Sequence, residues 1–109
     1  LDEISTIEYE KQYTENGYVK ILVNEKFELE HRWIVSQIIG RELTKEEVVH
    51  HLDNNRQNNH PNNLMLFSCE TEHQKFHYKI KRNGYTTNIL NEIEHRWDKY
   101  NDKEEITIN

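Results

Sequence analysis

The chain has little of what many small domains lean on: one cysteine, one proline and three glycines in 109 residues. The lone Cys69 cannot form an internal disulfide, and it excludes a cysteine-rich zinc knuckle. So few glycines and prolines exclude a low-complexity chain. No apolar run approaches the ~18 residues of a membrane span, and the N-terminus has no basic-then-apolar signal segment. Only 34% of residues are hydrophobic, against 31% charged. One domain's worth of chain with so small a core is expected to draw on a metal or a partner.

What the chain has in excess is histidine, seven in all, six of them between positions 31 and 77. Imidazole is both a metal ligand and an acid/base group near neutral pH. The net charge of −6 is partitioned. Residues 1–30 carry eight acids and three bases, residues 91–109 six acids and three bases, and residues 31–90 six acids and eight bases. The histidine-rich middle is therefore the one stretch with a positive balance. An acidic total speaks against a nucleic-acid binder, and a solvated surface explains such charges as well as a binding face does.

The pattern predicts an α+β domain over residues 1–109. Ile7, Tyr9 and Tyr13 share strand parity, and Asn16-Gly17 reads as a two-residue hairpin. Tyr18–Val23 and Phe27–Glu30 follow as strands around a turn at Asn24-Glu25-Lys26, giving a β-meander over 1–30. A helix and turn occupy 31–45, with Ile34/Ile38 and Val35/Ile39 at i,i+4 and Gly40 as C-cap. Thr44 with Glu47 matches a capping box for one short turn. Residues 46–82 read as strand (Glu47–Leu52), Asn-rich loop (53–63), strand (Met65–Phe67) and helix (Cys69–Arg82), with Ser68 as N-cap. Ile89, Ile93, Trp97 and Tyr100 predict a C-terminal amphipathic helix over 86–100, before a polar tail at 101–109.

Two histidine pairs fall at informative positions. His73 and His77 are i,i+4 on the predicted helix, a spacing that suits one ion. His50 and His51 are adjacent on the predicted strand, so their side chains point to opposite sides. One of the two can complete the ligand set, and the other stays free near the ion as a base for water.

The stretch Glu30-His31-Arg32-Trp33, Gly40-Arg41-Glu42-Leu43, Glu47-Val48-Val49-His50-His51-Leu52-Asp53, Asn58-Asn59-His60-Pro61-Asn62-Asn63-Leu64 and Glu72-His73-Gln74-Lys75-Phe76-His77 resembles the HNH endonucleases, most of all their phage- and intron-associated group. The resemblance spans roughly 17–80. It implies a ββα-metal fold, in which a hairpin and a helix pinch one divalent ion, and cleavage of DNA phosphodiesters to 5′-phosphate and 3′-hydroxyl ends, by nicking or double-strand cutting. By position, His50, His73 and His77 are the implied metal ligands and His51, acting through Nε2, the implied base. Asn63 is the implied middle Asn that holds the base's loop. Arg32 is expected to touch phosphate or to make a structural ion pair, and His31 is expected to be structural. Arg41, Arg56, Lys75 and Lys79 are further candidates for phosphate. Three imidazoles favour Zn²⁺ or Ni²⁺, with Mg²⁺ or Mn²⁺ open for catalysis. Relatives often carry Gly in the turn after the histidine pair, where this chain has Asp53-Asn54-Asn55. Asn tolerates left-handed backbone, so the loop should survive. Two other readings stay open, a metal-stabilised DNA-binding module without activity and the nuclease domain of a toxin trimmed from a longer chain. The expected partner is DNA rather than a membrane, in an intracellular setting, with the oligomeric state open.

Overall fold

A computed structural model describes residues 10–100 of the chain. Three antiparallel strands come first: β1 (Lys11–Tyr13), β2 (Val19–Val23) and β3 (Lys26–Leu29), paired in the order β1-β2-β3. Val19 and Ile21 of β2 are buried, while Lys20 between them is half-buried and Leu22 is exposed. The β2–β3 connection is a two-residue turn with Asn24 at φ +50° and Glu25 at φ +67°, so Val23 pairs with Lys26. The expected tight turn at Asn16-Gly17 is instead a three-residue loop. Thr14 N–H bonds Tyr18 O at 2.8 Å, and Gly17 takes the left-handed position at φ +87°. Ile7, Tyr9 and the tail at 101–109 lie outside the described residues.

Helix α1 (Glu30–Ile39) begins one residue earlier than expected, taking Glu30 from the strand. It buries Glu30, His31, Ile34, Val35 and Ile39 and ends on Gly40, at φ +77°, as expected. It sits between the three-stranded sheet and the next hairpin. The capping box at Thr44 opens no helix. Glu47 Oε1 accepts from Thr44 N–H at 2.8 Å and Glu47 N–H bonds Thr44 O at 3.3 Å, which makes a turn.

β4 (Val48–His51) and β5 (Leu64–Phe67) form the second hairpin, with Val49 opposite Leu66 and His50 opposite Met65. All four residues of β5 are buried, so both of its faces are covered. Leu64, Leu66 and Val49 join Ile34, Val35 and Ile39 in one cluster. Met65 and Phe67 join Phe76 and Ile89 in the other. The alternation of strand side chains therefore sends His51 toward α1 and His50 toward the opposite helix.

That helix is α2 (Glu70–Asn83). Its N-cap is Cys69, without a side-chain hydrogen bond, and Ser68 Oγ turns to the Cys69 sulfur rather than to the helix. α3 (Thr87–Glu94) starts on Thr86, whose hydroxyl accepts from Ile89 N–H at 3.2 Å. It stops at Glu94, and after a turn over 95–97 the chain is helical again at 98–100, so the helix predicted to reach Tyr100 is broken rather than continuous. Arg96 then pins the chain to the hairpin: Nε donates to Leu64 O at 2.6 Å, Nη1 to Ile93 O at 2.6 Å, and Nη2 to Asn62 O at 3.0 Å and Pro61 O at 3.3 Å. Arg96→Ala leaves these carbonyls without their charged donor and should lower unfolding free energy by about 2–3 kcal/mol in a urea titration.

Candidate metal centre and adjoining histidine

The second hairpin and α2 bring three imidazoles to one point. Nitrogen atoms of His50, His73 and His77 all lie within 4.8 Å of one another. His73 Nε2 is 3.1 Å from His50 Nδ1 and 2.9 Å from His77 Nε2. Burial, followed by the neighbouring histidines, lowers His50 to about 4. Burial and His73 lower His77 as well. Both rings are therefore neutral at pH 7, as metal ligands must be. The second nitrogen of His73 meets Glu70 Oε1 at 3.4 Å, which favours a hydrogen on Nδ1 and a lone pair on Nε2. This donor set fits one transition ion, with the expected residues.

His51 lies on the other side of β4, only 6% exposed. Its Nε2 is 2.6 Å from Asn59 Oδ1. Asn59 Nδ2 donates to Glu30 Oε1 at 2.9 Å. The amide oxygen can only accept, so the hydrogen of His51 is on Nε2. In that arrangement the ring's lone pair is on Nδ1, whereas the resemblance implies Nε2 as the acceptor. His51 packs beside His31, 5.2 Å between ring centroids, and His31 stacks on Tyr18 at 5.0 Å. His31 is buried, as expected of a structural residue, and its Nδ1 has no hydrogen-bond partner among the described residues.

The polar loop is built on Asp53 and Asn63. Asn63 Oδ1 accepts from Asp53 N–H at 2.9 Å, and its Nδ2 donates to Asp53 Oδ1 and Asn58 O, both at 2.8 Å. Leu52 N–H bonds Asn63 O at 2.8 Å. Asn63 thus spends its whole amide on the loop that follows His51, the place the resemblance implies for it. Asn54 carries the left-handed backbone, φ +62°, that its amide tolerates. Asn54→Gly should therefore be tolerated, and Asn54→Val should cost about 1–2 kcal/mol in a thermal melt.

A cleft of about 250 Å³ opens over the histidines, lined by His50, His51, His73, His77, Tyr18 and Arg56. Arg56 lies over the Tyr18 ring, 4.8 Å from its centroid, with Nη1 donating to Asn16 O at 2.7 Å. The other basic candidates are placed differently. Arg32 donates to Glu47 O and Thr44 O, both at 2.7 Å. Arg41 forms a two-pronged pair with Glu47 at 2.9 and 2.8 Å, which holds the Glu47 carboxyl down to about 2. Lys75 pairs with Glu72 at 3.2 Å. Lys75 and Lys79 follow His73 and His77 by two residues, about 200° round the helix, so they face away from the cleft. Of the five, Arg56 alone lines it.

Sequence reasoning missed Glu30, Asn59 and Tyr18 as parts of this site. Asn59 was legible only as one more turn former in an Asn-rich loop, and its neighbour Asn58 gave it no separate signal.

Residues 28–74 match a family model described as HNH endonuclease, a span that includes His50, His51, Asn59, Asn63 and His73 and ends short of His77. No curated protein and no solved structure matches the chain.

Proposed function

We propose, from the premise that the chain belongs to the HNH endonuclease family through residues 28–74, that it is a divalent-metal-dependent DNA endonuclease leaving 5′-phosphate and 3′-hydroxyl ends. One observation carries the reading: three imidazoles converge within 4.8 Å on one side of β4, while His51 stands on the other side and lines the same cleft. His50, His73 and His77 would hold one ion, with Zn²⁺ or Ni²⁺ suited to three nitrogen donors and Mg²⁺ or Mn²⁺ open in catalysis. When bound, that ion supplies Lewis-acid charge at the scissile phosphate.

The chain's own groups do the rest. His51 takes a proton from the attacking water at Nδ1. Arg56 donates to a phosphate oxygen from the rim, its guanidinium already oriented by Asn16 O and the Tyr18 ring. Asp53 and Asn63 tie together the loop that follows the base. Conversion of supercoiled plasmid to nicked or linear forms tests this, with each ion in turn and with chelator. Metal-dependent conversion is expected, and no conversion in any ion would favour a binding module.

The DNA path follows from the same placement. Arg56→Ala should reduce the slope of log affinity against log salt by about 0.9, the value for one neutralised phosphate. Neutralising Lys75 and Lys79 should leave the slope unchanged. Fluorescence anisotropy on a labelled duplex at several salt concentrations checks both.

A further inference from the structure

Glu30, Asn59 and His51 form a buried polar chain that the metal centre does not use. Glu30 and Asn59 are 5% and 6% exposed, in surroundings where apolar side chains would pack without desolvation cost. They come from three separate places: the first turn of α1, the polar loop and the end of β4. Asn59 takes no part in the Asp53–Asn63 hydrogen bonds that build the loop. Its amide reaches instead to Glu30 Oε1 at 2.9 Å and His51 Nε2 at 2.6 Å. The other Glu30 oxygen pairs with Lys11 at 3.2 Å.

The order of constraint runs inward from the carboxylate. An ionised Glu30 has only acceptors, so the NH₂ side of the Asn59 amide must face it. A flipped amide would set oxygen against oxygen there and leave a buried donor facing His51. With the amide oriented, its oxygen faces His51 Nε2 and requires a hydrogen on that nitrogen. The lone pair is left on Nδ1.

We infer that Glu30 and Asn59 are positioning residues for His51, the carboxylate orienting the amide and the amide holding the imidazole as the Nε2–H tautomer with Nδ1 as proton acceptor. The inference rests on the nuclease reading for its consequence, but not for its geometry. In the reaction, one proton passes from water to Nδ1 as the water oxygen attacks phosphorus, the bond from phosphorus to the 3′ oxygen breaks, the departing 3′ oxygen takes a proton from solvent to become the hydroxyl end, and the ring's Nε2–H keeps its bond to Asn59. The amide dipole, backed by the Glu30 charge, then faces the positive ring.

Long-range ¹H–¹⁵N spectra of the His51 ring test this in the full chain, with Zn²⁺ and with chelator. Wild type should show hydrogen on Nε2 in both, and hydrogen on Nδ1 would overturn the inference. Asn59→Ala should give a mixture of tautomers. Its single-turnover cleavage should fall by about 10²-fold or more, the scale seen when a catalytic imidazole loses its orienting partner, with Zn²⁺ and DNA affinities within twofold of wild type. A folded Asn59→Ala with a pure Nε2–H ring and full rate would overturn it. Glu30→Gln can still present a carbonyl oxygen to Asn59, so it should keep the tautomer that Glu30→Leu loses. Equal tautomer populations in the two Glu30 variants would remove Glu30 from the role. Should wild type cut no DNA in any ion, the nuclease reading fails, while the ring spectra still decide whether the tautomer is held.

Discussion

Replacing His51 with alanine is expected to leave metal affinity near wild type and to lower cleavage on the order of 10²–10⁴-fold, the usual worth of a positioned general base. The separation follows from strand alternation. His50 shares a face with Met65 and Phe67 and meets α2, whereas His51 shares a face with Val49 and meets α1. Removing His50, His73 or His77 takes away one of three nitrogen donors, so metal affinity and cleavage should fall together. His51→Ala leaves Asn59 Oδ1 without its donor and should cost about 1–3 kcal/mol of stability, so rates are best compared well below the melting temperature. Calorimetric metal titration beside a plasmid-nicking time course on the four variants reads both quantities. Loss of the metal in His51→Ala with retention in His50→Ala would exchange their roles. A His51→Ala variant with metal and full rate would show that the base is another group.

The triad was legible because its signals are local. Adjacent strand positions alternate, and i,i+4 helix positions align, whatever the rest of the fold does. The Glu30–Asn59–His51 chain was not legible, because it joins residues 29 and 8 positions apart and is made by the packing of α1 against the loop. The C-terminal helix shows a periodic pattern outrunning its backbone. Ile89 and Ile93 pack with Phe76, while Trp97 and Tyr100 pack against the cluster around Val35. One straight helix does not serve both cores, so the chain turns after Glu94 and Arg96 holds the turn. At Asn16-Gly17 the dipeptide marked a hairpin but not its length, since a glycine at positive φ serves two- and three-residue loops alike. Arg32 and Arg41 were ambiguous for a related reason. Whether a guanidinium faces solvent or a backbone carbonyl depends on the path of the 40–47 segment, which local periodicity does not encode.

Chelation is expected to lower the melting temperature by about 10–30 °C, and acid to lower the stability of the chelated protein further. α2 fully buries only Phe76 among its fourteen residues, so its apolar docking to the hairpin is slight. An ion held at about 100–1,000 times its dissociation constant adds about 3–4 kcal/mol to the native state alone, and each kcal/mol moves a domain of this size by roughly 4–8 °C. The acid effect comes from buried imidazole. Burial, then His51 and Arg32, lowers His31 from 6.5 to about 4. Between those values the unfolded chain binds a proton that the folded chain refuses. The stability contribution is therefore complete above pH 6.5 and is lost as pH falls toward 4, about 3 kcal/mol for His31. His50, lowered to about 4 in the metal-free protein, adds in the same direction. Glu47 acts in a lower window: its carboxyl is held from 4.5 down to about 2, chiefly by the hydrogen bonds from Arg41, so its contribution is lost between those values. Since His31 Nδ1 has no hydrogen-bond partner among the described residues, His31→Phe should keep stability at neutral pH while flattening the decline between pH 6.5 and 4. Urea titrations across pH in the presence of chelator measure this. An undiminished acid decline in His31→Phe would assign it to His50 and the other histidines, and equal melting with and without chelator would show that the ion adds nothing to the fold.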